Sequence, residues 1–215
     1  MEYSDGWSVH MDVPLQNNVL SNEIYILLAS TKTLRKLDFS RCSMGNPLPD
    51  GTPKTISAIT AIGRAMQTGN TYLSRLSLGQ NKISKTDFIS LIDGIQGHRK
   101  SIKELYLPEC GLDSGMVERV LGVLFEKNPE QMISLDLSSD KDMTLDPVLV
   151  AKIIPTFKRL ECLLMRGYDL LNPAYGFTLE SSRLSLLDLS GSKLNRETVS
   201  RLCQWIQQPS FRKIE

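Results

Sequence analysis

The stretch 73–81, Leu-Ser-Arg-Leu-Ser-Leu-Gly-Gln-Asn, decides the fold. Apolar residues occupy its first, fourth and sixth positions, and Asn81 occupies the ninth. Successive side chains of a β-strand point to opposite faces, so the residues at the fourth and sixth positions are expected to face a core. The residues at the third, fifth and seventh positions are expected to face solvent. The stretch therefore predicts a short strand followed by a turn.

The same pattern recurs along the chain. The copies, given by their first, fourth, sixth and ninth residues, are Leu34-Leu37-Phe39-Cys42, Leu73-Leu76-Leu78-Asn81, Ile102-Leu105-Leu107-Cys110, Met132-Leu135-Leu137-Asp140, Leu160-Leu163-Met165-Tyr168 and Leu184-Leu187-Leu189-Ser192. A weaker copy runs through Val9, Met11 and Pro14, and another begins at Phe211 and Ile214. Most copies lie about 28 residues apart, which predicts a repeat protein whose units bury their apolar faces against one another.

Between the copies, the apolar residues change to helical spacing. The segment from Asp113 to Lys127 has apolar residues at i, i+3 and i+4, and the same spacing occurs over 56–66, 88–95 and 199–206. Capping signals accompany these segments: Thr86-Asp87, Asp113-Ser114, Gly69 and Gly97. Each unit is therefore predicted to be strand, turn and helix, which makes the fold class α/β.

The recurring pattern resembles that of the leucine-rich repeat family, LxxLxLxxN/C, and its period with true helices is similar to the ribonuclease-inhibitor-like subclass. The resemblance implies a solenoid, or horseshoe, with parallel strands on the concave side and helices on the convex side. It covers 1–215 as a single domain of about seven repeats. In the family, Asn or Cys at the ninth position pairs buried backbone groups of the turn, a role that Asn81, Cys42 and Cys110 fit. The departing residues are Pro14, Asp140, Tyr168 and Ser192, where we expect irregular turns.

The last pattern, at 211–215, stops within a new strand. Repeat arrays need capped ends, so we expect the chain to be a segment of a longer protein that can self-associate through an uncapped repeat end. The alternative is that this last strand is itself the cap.

Composition excludes several classes of protein. With 25 Lys and Arg against 24 Asp and Glu, the formal net charge is +1, so we expect neither nucleic-acid binding nor general attraction to an anionic membrane. No apolar run approaches the roughly 20 residues that a membrane span needs, and the N-terminus has no secretory pattern. Four widely spaced cysteines suggest reduced thiols. We therefore expect a cytoplasmic protein without direct membrane insertion.

The search for catalytic chemistry finds little. The histidines are His10 and His98, far apart in the sequence, and no metal-ligand spacing occurs. The stretch 50–55 ends in Lys-Thr but lacks the spacing of a phosphate-binding loop. We expect no cofactor, no metal and no enzyme activity. The alternative is a GTPase activator, as some leucine-rich repeat proteins are, with Arg41 or Arg166 acting at the phosphate.

The solvent-facing positions of the strands offer a partner surface, because large apolar groups stand there where water favours polar ones. The predicted partner-binding residues are Arg75, Glu104, Tyr106, Asp136, Leu164, Arg166 and Leu186. Two alternatives stay open: these side chains pack on one another across the strands, or the irregular stretches 43–53 and 167–177 carry the contacts. Cys162 lies among them with no sequence reason to be reactive.

The resemblance implies a non-enzymatic scaffold that presents a concave surface to a protein partner, as in the actin-regulating scaffolds of the CARMIL type or in signalling proteins. The alternatives are the GTPase activator and a structural spacer within a multidomain protein.

Overall fold

The computed structural model describes residues 7–10, 19–44, 57–68, 72–127, 129–172 and 183–207. The chain divides into two compact units, Met1–Gly111 and Leu112–Glu215, called here the N-terminal and C-terminal units. Several predicted features lie outside the described residues: Pro14, most of the loop 43–53, the cap at Gly69, the stretch 173–177 and the pattern at 211–215.

The N-terminal unit alternates strands and helices. Its elements are β1 (Trp7–His10), α1 (Val19–Ser30), β2 (Leu34–Asp38), α2 (Ala58–Gln67), β3 (Arg75–Ser77), α3 (Lys85–Gly97) and β4 (Glu104–Tyr106). The strands pair in parallel, and Val9, Leu37, Leu76 and Leu105 face one another in register. The last three leucines are fully buried. The parallel α/β architecture predicted from the sequence is confirmed in this unit.

The C-terminal unit continues the alternation. Its elements are α4 (Ser114–Lys127), β5 (Ser134–Asp136), α5 (Pro147–Ile153), β6 (Cys162–Leu164), β7 (Asp169–Leu170), β8 (Leu186–Asp188), β9 (Lys193–Leu194) and α6 (Arg196–Ile206), with 3₁₀ turns at Pro129–Gln131 and Ile154–Thr156. β5, β6 and β8 pair in parallel with Leu135, Leu163 and Leu187 in register. Leu135 and Leu163 are buried, whereas Leu187 is partly exposed. β7 and β9 form a separate parallel pair.

The four predicted helices are confirmed as α2, α3, α4 and α6, and α1 and α5 were not predicted. Ile24 and Leu28, four residues apart, form the buried side of α1. α5 carries a clear start signal, since the Asp146 carboxylate accepts the Val148 N–H at 2.9 Å. None of the helices in the described part of the chain has the length and apolar content that crossing a bilayer requires.

Helix capping was predicted correctly for α4 and wrongly for α3. The Asp113 carboxylate accepts the Met116 N–H at 2.9 Å. α3 is instead capped by Ser84, whose hydroxyl accepts the Asp87 N–H. The Asp87 carboxylate is buried and accepts the hydroxyls of Ser57, Thr60 and Ser84, so it ties the starts of α2 and α3 together. Gly97 is the last residue of α3 rather than a residue beyond it.

Ninth-position side chains donate to the sixth-position carbonyl of the preceding repeat. The pairs are Asn81 Nδ2 to Phe39 O at 2.7 Å, Cys110 Sγ to Leu78 O at 3.2 Å, Tyr168 Oη to Leu137 O at 2.7 Å and Ser192 Oγ to Met165 O at 3.1 Å. Tyr168 and Ser192 thus make the same bond that Asn81 and Cys110 make in other copies, so the expectation of irregular turns at Tyr168 and Ser192 is wrong. Asp140, at the same position, is exposed and does depart from the pattern.

The eighth position of five repeats has a left-handed backbone. The residues and their φ angles are Arg41 at 62°, Gln80 at 58°, Glu109 at 54°, Gly167 at 78° and Gly191 at 69°. At Gly167 a Cβ would lie 2.6 Å from the Ser139 carbonyl oxygen, so only glycine fits there. A conformation that most residues avoid recurs at one register position, which makes the turn itself a repeated element.

α2 and α3 touch backbone to backbone. A Cβ on Gly63 would lie 2.1 Å from the Ser90 carbonyl oxygen, and a Cβ on Gly94 would lie 2.5 Å from the Gly63 carbonyl oxygen. Neither atom belongs to a flexible side chain. The two helices can therefore keep this separation only while both residues are glycine.

We expect Gly63→Ala to lower the free energy of unfolding by about 1–3 kcal/mol, because the added methyl group must push the two helices apart. Gly122→Ala in α4 is the matched control, since nothing lies within 4 Å of a Cβ there. It should raise the free energy of unfolding by up to about 1 kcal/mol through helix propensity. Urea denaturation of both variants measures the difference, and equal effects would contradict the close helix contact.

Burial of Tyr168 makes the free energy of unfolding depend on pH in the alkaline range. Burial, with a smaller contribution from the charge of Asp136, raises the pKa of the Tyr168 hydroxyl above its ordinary value. The folded state therefore favours the neutral phenol, and this stabilisation is complete below the unfolded pKa of about 10 and is lost as pH rises above it.

Tyr168→Phe should lower the free energy of unfolding at neutral pH by about 1–3 kcal/mol, because the Leu137 carbonyl loses its donor. The variant should also show a shallower fall in stability above about pH 10. Tyr25→Phe, at an exposed tyrosine, should change neither property. Denaturation curves across this pH range test both parts, and a wild-type slope in Tyr168→Phe would refute the assignment.

Candidate partner-binding faces

In the N-terminal unit, parallel register places the third- and fifth-position residues of β2, β3 and β4 in rows. Lys36, Arg75 and Glu104 form the third-position row. Ser77 and Tyr106 are neighbours in the fifth-position row. Three of the predicted partner-binding residues, Arg75, Glu104 and Tyr106, are thus brought together on adjacent strands.

Arg75, Glu104 and Tyr106 hold one another in place. Arg75 Nη1 lies 3.3 Å from Glu104 Oε2, and the guanidinium carbon lies 4.8 Å from the centre of the Tyr106 ring. The Tyr106 hydroxyl donates to Glu104 Oε2 at 3.1 Å. This mutual packing is the alternative that the sequence left open, yet all three side chains stay partly exposed. The three side chains therefore hold fixed positions and remain accessible to a partner.

A second row, which sequence reasoning missed, lies at the turns after β2, β3 and β4. Arg41 Nε donates to Gln80 Oε1 at 2.6 Å, and Gln80 Nε2 donates to Glu109 Oε2 at 2.9 Å. All three residues are exposed and have left-handed backbones. Their shared eighth position is the signal that could have identified them. Arg41, one of the two arginines considered for GTPase activation, is therefore held within this row.

The strand face of the C-terminal unit is more apolar. Cys162 and Leu186 are register neighbours, as are Leu164 and Asp188. Leu186 is 51% exposed, and Cys162 and Leu164 are partly exposed. Two leucines on neighbouring strands therefore stand at positions where water favours polar groups.

Asp136 differs from the other predicted partner-binding residues. It is buried, and its carboxylate accepts the Ser138 N–H at 3.0 Å. The expectation that this fifth-position residue faces solvent is wrong, because an Asp at this position can cap its own strand end. Asp188 repeats the arrangement with the N–H and hydroxyl of Ser190, at 2.9 and 2.5 Å.

Arg166 follows β6 and is fixed by the same strand ends. Its Nε donates to Ser138 Oγ at 3.2 Å and lies 3.8 Å from Asp188 Oδ2. The Ser190 hydroxyl, then the Ser190 N–H and, with a smaller effect, the charge of Arg166 hold the pKa of Asp188 below its ordinary value. Asp188 is therefore a fixed negative charge at neutral pH, next to its register neighbour Leu164 and on the same strand as the exposed Leu186.

The remaining candidates for chemistry lie apart from these faces. His98 is buried in the N-terminal unit, with Nε2 2.9 Å from the Leu73 carbonyl oxygen. Cys42 and Cys110 are buried thiols, and Cys203 is exposed on α6. Within the described ranges, no group of three or more His, Cys, Asp or Glu side chains is placed to hold a metal ion.

Because the hydrogen bond from the Ser190 hydroxyl lowers the pKa of Asp188 more than the charge of Arg166 does, Ser190→Ala should raise that pKa more than Arg166→Gln. Side-chain carboxyl NMR titration of the two variants measures the difference. The reverse order would show that the ion pair, and not the strand-end cap, fixes this charge. Ser200→Ala, at an exposed serine of α6, is the control and should leave the pKa of Asp188 unchanged.

Neither a scan against protein-family models nor a search of curated proteins returns a match to this chain. Any functional assignment therefore depends on the chemistry of the strand faces.

Proposed function

We propose that this chain is a leucine-rich repeat solenoid of the ribonuclease-inhibitor-like kind. Three repeated features support the proposal: fourth-position leucines in register, ninth-position donors to the preceding repeat, and left-handed eighth positions. Each feature recurs at the same register position in both units. A shared pattern of side-chain roles argues for a common repeat even where the residue types differ, as at Tyr168.

We propose further that the protein is a non-enzymatic scaffold in the cytoplasm that binds a protein partner, in a cytoskeletal or signalling setting. The observation that carries this proposal is the exposure of Leu186 beside Leu164 on the strand face of the C-terminal unit. Transfer of a leucine side chain out of water contributes about 1.5–3 kcal/mol, which a partner can gain there. Arg166 and Asp188 border the leucines as fixed charges of opposite sign, and such polar borders are typical of binding sites.

The cluster of Arg75, Glu104 and Tyr106 supports the same function in the N-terminal unit. Arginine and tyrosine are the residue types that most often dominate binding energy. Their mutual contacts already restrict their rotamers, so a partner loses less side-chain entropy on binding them.

No observation favours the GTPase activator. Its arginines would have to leave existing contacts, Arg41 from Gln80 and Arg166 from Ser138, before they could reach a phosphate. The spacer alternative predicts strand faces without a binding role, and the following experiment separates it from the scaffold.

The doubly substituted chain Leu164→Asp/Leu186→Asp should lose a protein that the wild-type chain retains from a lysate of its source cells. We expect a loss of about tenfold or more, because two apolar contacts become charged. Val148→Asp is the matched control, since Val148 is 68% exposed on α5 of the same unit, and it should retain the protein. Quantitative mass spectrometry of the retained proteins measures both.

Retention of every partner by the double variant, with circular dichroism showing a folded chain, would contradict the assignment of this face. A parallel single-turnover assay with small GTPases should show unchanged GTP hydrolysis. Accelerated hydrolysis that Arg41→Ala or Arg166→Ala abolishes would instead establish the activator.

A further inference from the structure

Cations concentrate at one end of the strands in the N-terminal unit, where each helix returns to its strand. The ranges 32–36, 72–75 and 98–104 together contain seven Lys and Arg residues and one acidic residue, Glu104. These cations, called here the basic rim, are Lys32, Arg35, Lys36, Arg75, Arg99, Lys100 and Lys103. The formal net charge of +1 for the whole chain conceals this local concentration.

Hydrogen bonds and register show that the basic rim is continuous across β2, β3 and β4. Lys36 and Arg75 are register neighbours. The Ser74 N–H donates to the Arg35 carbonyl at 2.8 Å, and the Lys103 N–H donates to the Ser74 carbonyl at 2.7 Å. Adjacent strands lie about 4.8 Å apart, so the cations on these three strands fall within a width of about 10 Å.

The cations of the basic rim divide into held and free groups. Arg35 Nη1 donates to the Lys32 carbonyl at 2.9 Å and lies over the Tyr72 ring, and Arg75 pairs with Glu104. Five others, Lys32, Lys36, Arg99, Lys100 and Lys103, are exposed and pair with no carboxylate among the described residues. Some of this charge offsets the partial negative charge at the ends of α1 and α3, but Lys36 and Lys103 lie on or next to strands and have no such role.

An exposed apolar surface lies on the helix that leads into the basic rim. In α1, Ile24 and Leu28 are buried, and Tyr25, Ile26 and Leu27 on the other side are exposed. At 3.6 residues per turn, Ile26 points most directly away from the core, and it is also the most exposed of the three, at 62%. Leu27 lies one turn before Thr31, whose N–H donates to its carbonyl, and Lys32 follows immediately. Apolar and cationic side chains are thus neighbours at the end of α1.

We propose that the end of α1 and the basic rim together dock on an anionic lipid surface. Lysines near an anionic leaflet are attracted without fixed geometry, and apolar side chains next to them gain by entering the headgroup boundary. Tyrosine, which α1 exposes at Tyr25, is favoured at that boundary because it has an apolar ring and a polar hydroxyl. This is adsorption at the surface of a bilayer, not insertion of a spanning helix.

A protein or a nucleic acid fits these observations less well. Four of the five free cations are lysines, a residue type that is depleted at protein–protein interfaces. Exposed Ile26 and Leu27 gain from lipid, but they offer no stacking to nucleic-acid bases. Of the partner-binding residues, the basic rim includes only Arg75, which is already paired with Glu104. The free cations and the exposed face of α1 can therefore be tested apart from the partner-binding function.

The test is sedimentation of the full chain with vesicles of phosphatidylcholine, with and without phosphatidylserine. The wild-type chain should sediment only with the anionic vesicles, and binding should weaken as ionic strength rises toward physiological values. Arg99→Glu/Lys100→Glu should weaken binding about tenfold or more. The matched control is Lys82→Glu/Lys85→Glu, which makes the same charge change at the other end of α3 and should stay within about twofold of wild type.

A second pair of variants tests the apolar contribution. Ile26→Ser should weaken binding several-fold for partial burial of the side chain and about tenfold or more for full burial. Ile89→Ser is the control, because Ile89 is 58% exposed in the second turn of α3, away from the basic rim, and should bind like wild type. Circular dichroism before sedimentation establishes that each variant is folded.

Four results would overturn the proposal: no binding to anionic vesicles at low ionic strength, equal binding to neutral vesicles, equal losses in a variant and its control, or tighter binding to an oligoglutamate or a single-stranded oligonucleotide than to the vesicles. The last result would assign the basic rim to a different macromolecule. Retention of a protein through Leu164 and Leu186 should persist in Arg99→Glu/Lys100→Glu, so failure here leaves the proposed function standing, and the converse also holds.

Discussion

Each repeat must supply donors to the backbone carbonyls that become buried where its strand ends and its turn begins. A buried carbonyl without a partner costs free energy comparable to a lost hydrogen bond, so this requirement applies to every repeat. Four repeats meet it with a ninth-position side chain, three residues after the sixth position, that donates to a carbonyl of the preceding repeat. Asn81 does more than the others, because its amide also accepts the Met44 N–H at 3.0 Å and donates to Leu78. These ninth-position hydrogen bonds connect neighbouring repeats to one another.

The strands could be predicted from the sequence because the buried fourth position is apolar in every full copy of the pattern, so its regular recurrence is visible along the chain. Sequence reasoning could not predict Tyr168 as a donor. The Tyr168 ring is fully buried where its hydroxyl meets the Leu137 carbonyl, and whether a ring fits there is a property of three-dimensional packing. α1 was missed for a related reason. Its apolar residues cover both its buried and its exposed sides, so the pattern lacks the stripe by which an amphipathic helix is recognised.

The strand faces illustrate a second limit of sequence analysis. Period-two alternation correctly placed Arg75, Tyr106, Leu164 and Leu186 on the outward side, but it cannot distinguish a side chain that meets solvent from one that bonds its own backbone. Asp136 stands at an outward position of its strand, yet its side chain is buried. Its carboxylate accepts the N–H of Ser138, two residues later, and so folds back on its own backbone. The polar row of Arg41, Gln80 and Glu109 comes from three separate repeats, so it can be found in the sequence only by aligning the repeats at their eighth position.

The contact between Gly63 and Gly94 also reconciles two spacings that do not match. Hydrogen bonding fixes neighbouring parallel strands about 4.8 Å apart, whereas two packed helices with ordinary side chains need about 8–10 Å between their axes. A chain that alternates strands and helices must accommodate this difference between strand spacing and helix spacing each time a new strand and helix are added. Where two glycines meet, the helix layer can advance by less than its usual increment. Those two positions therefore set how closely α2 and α3 approach each other, and a chain with larger residues there would need a more strongly bent sheet to hold the same strands together.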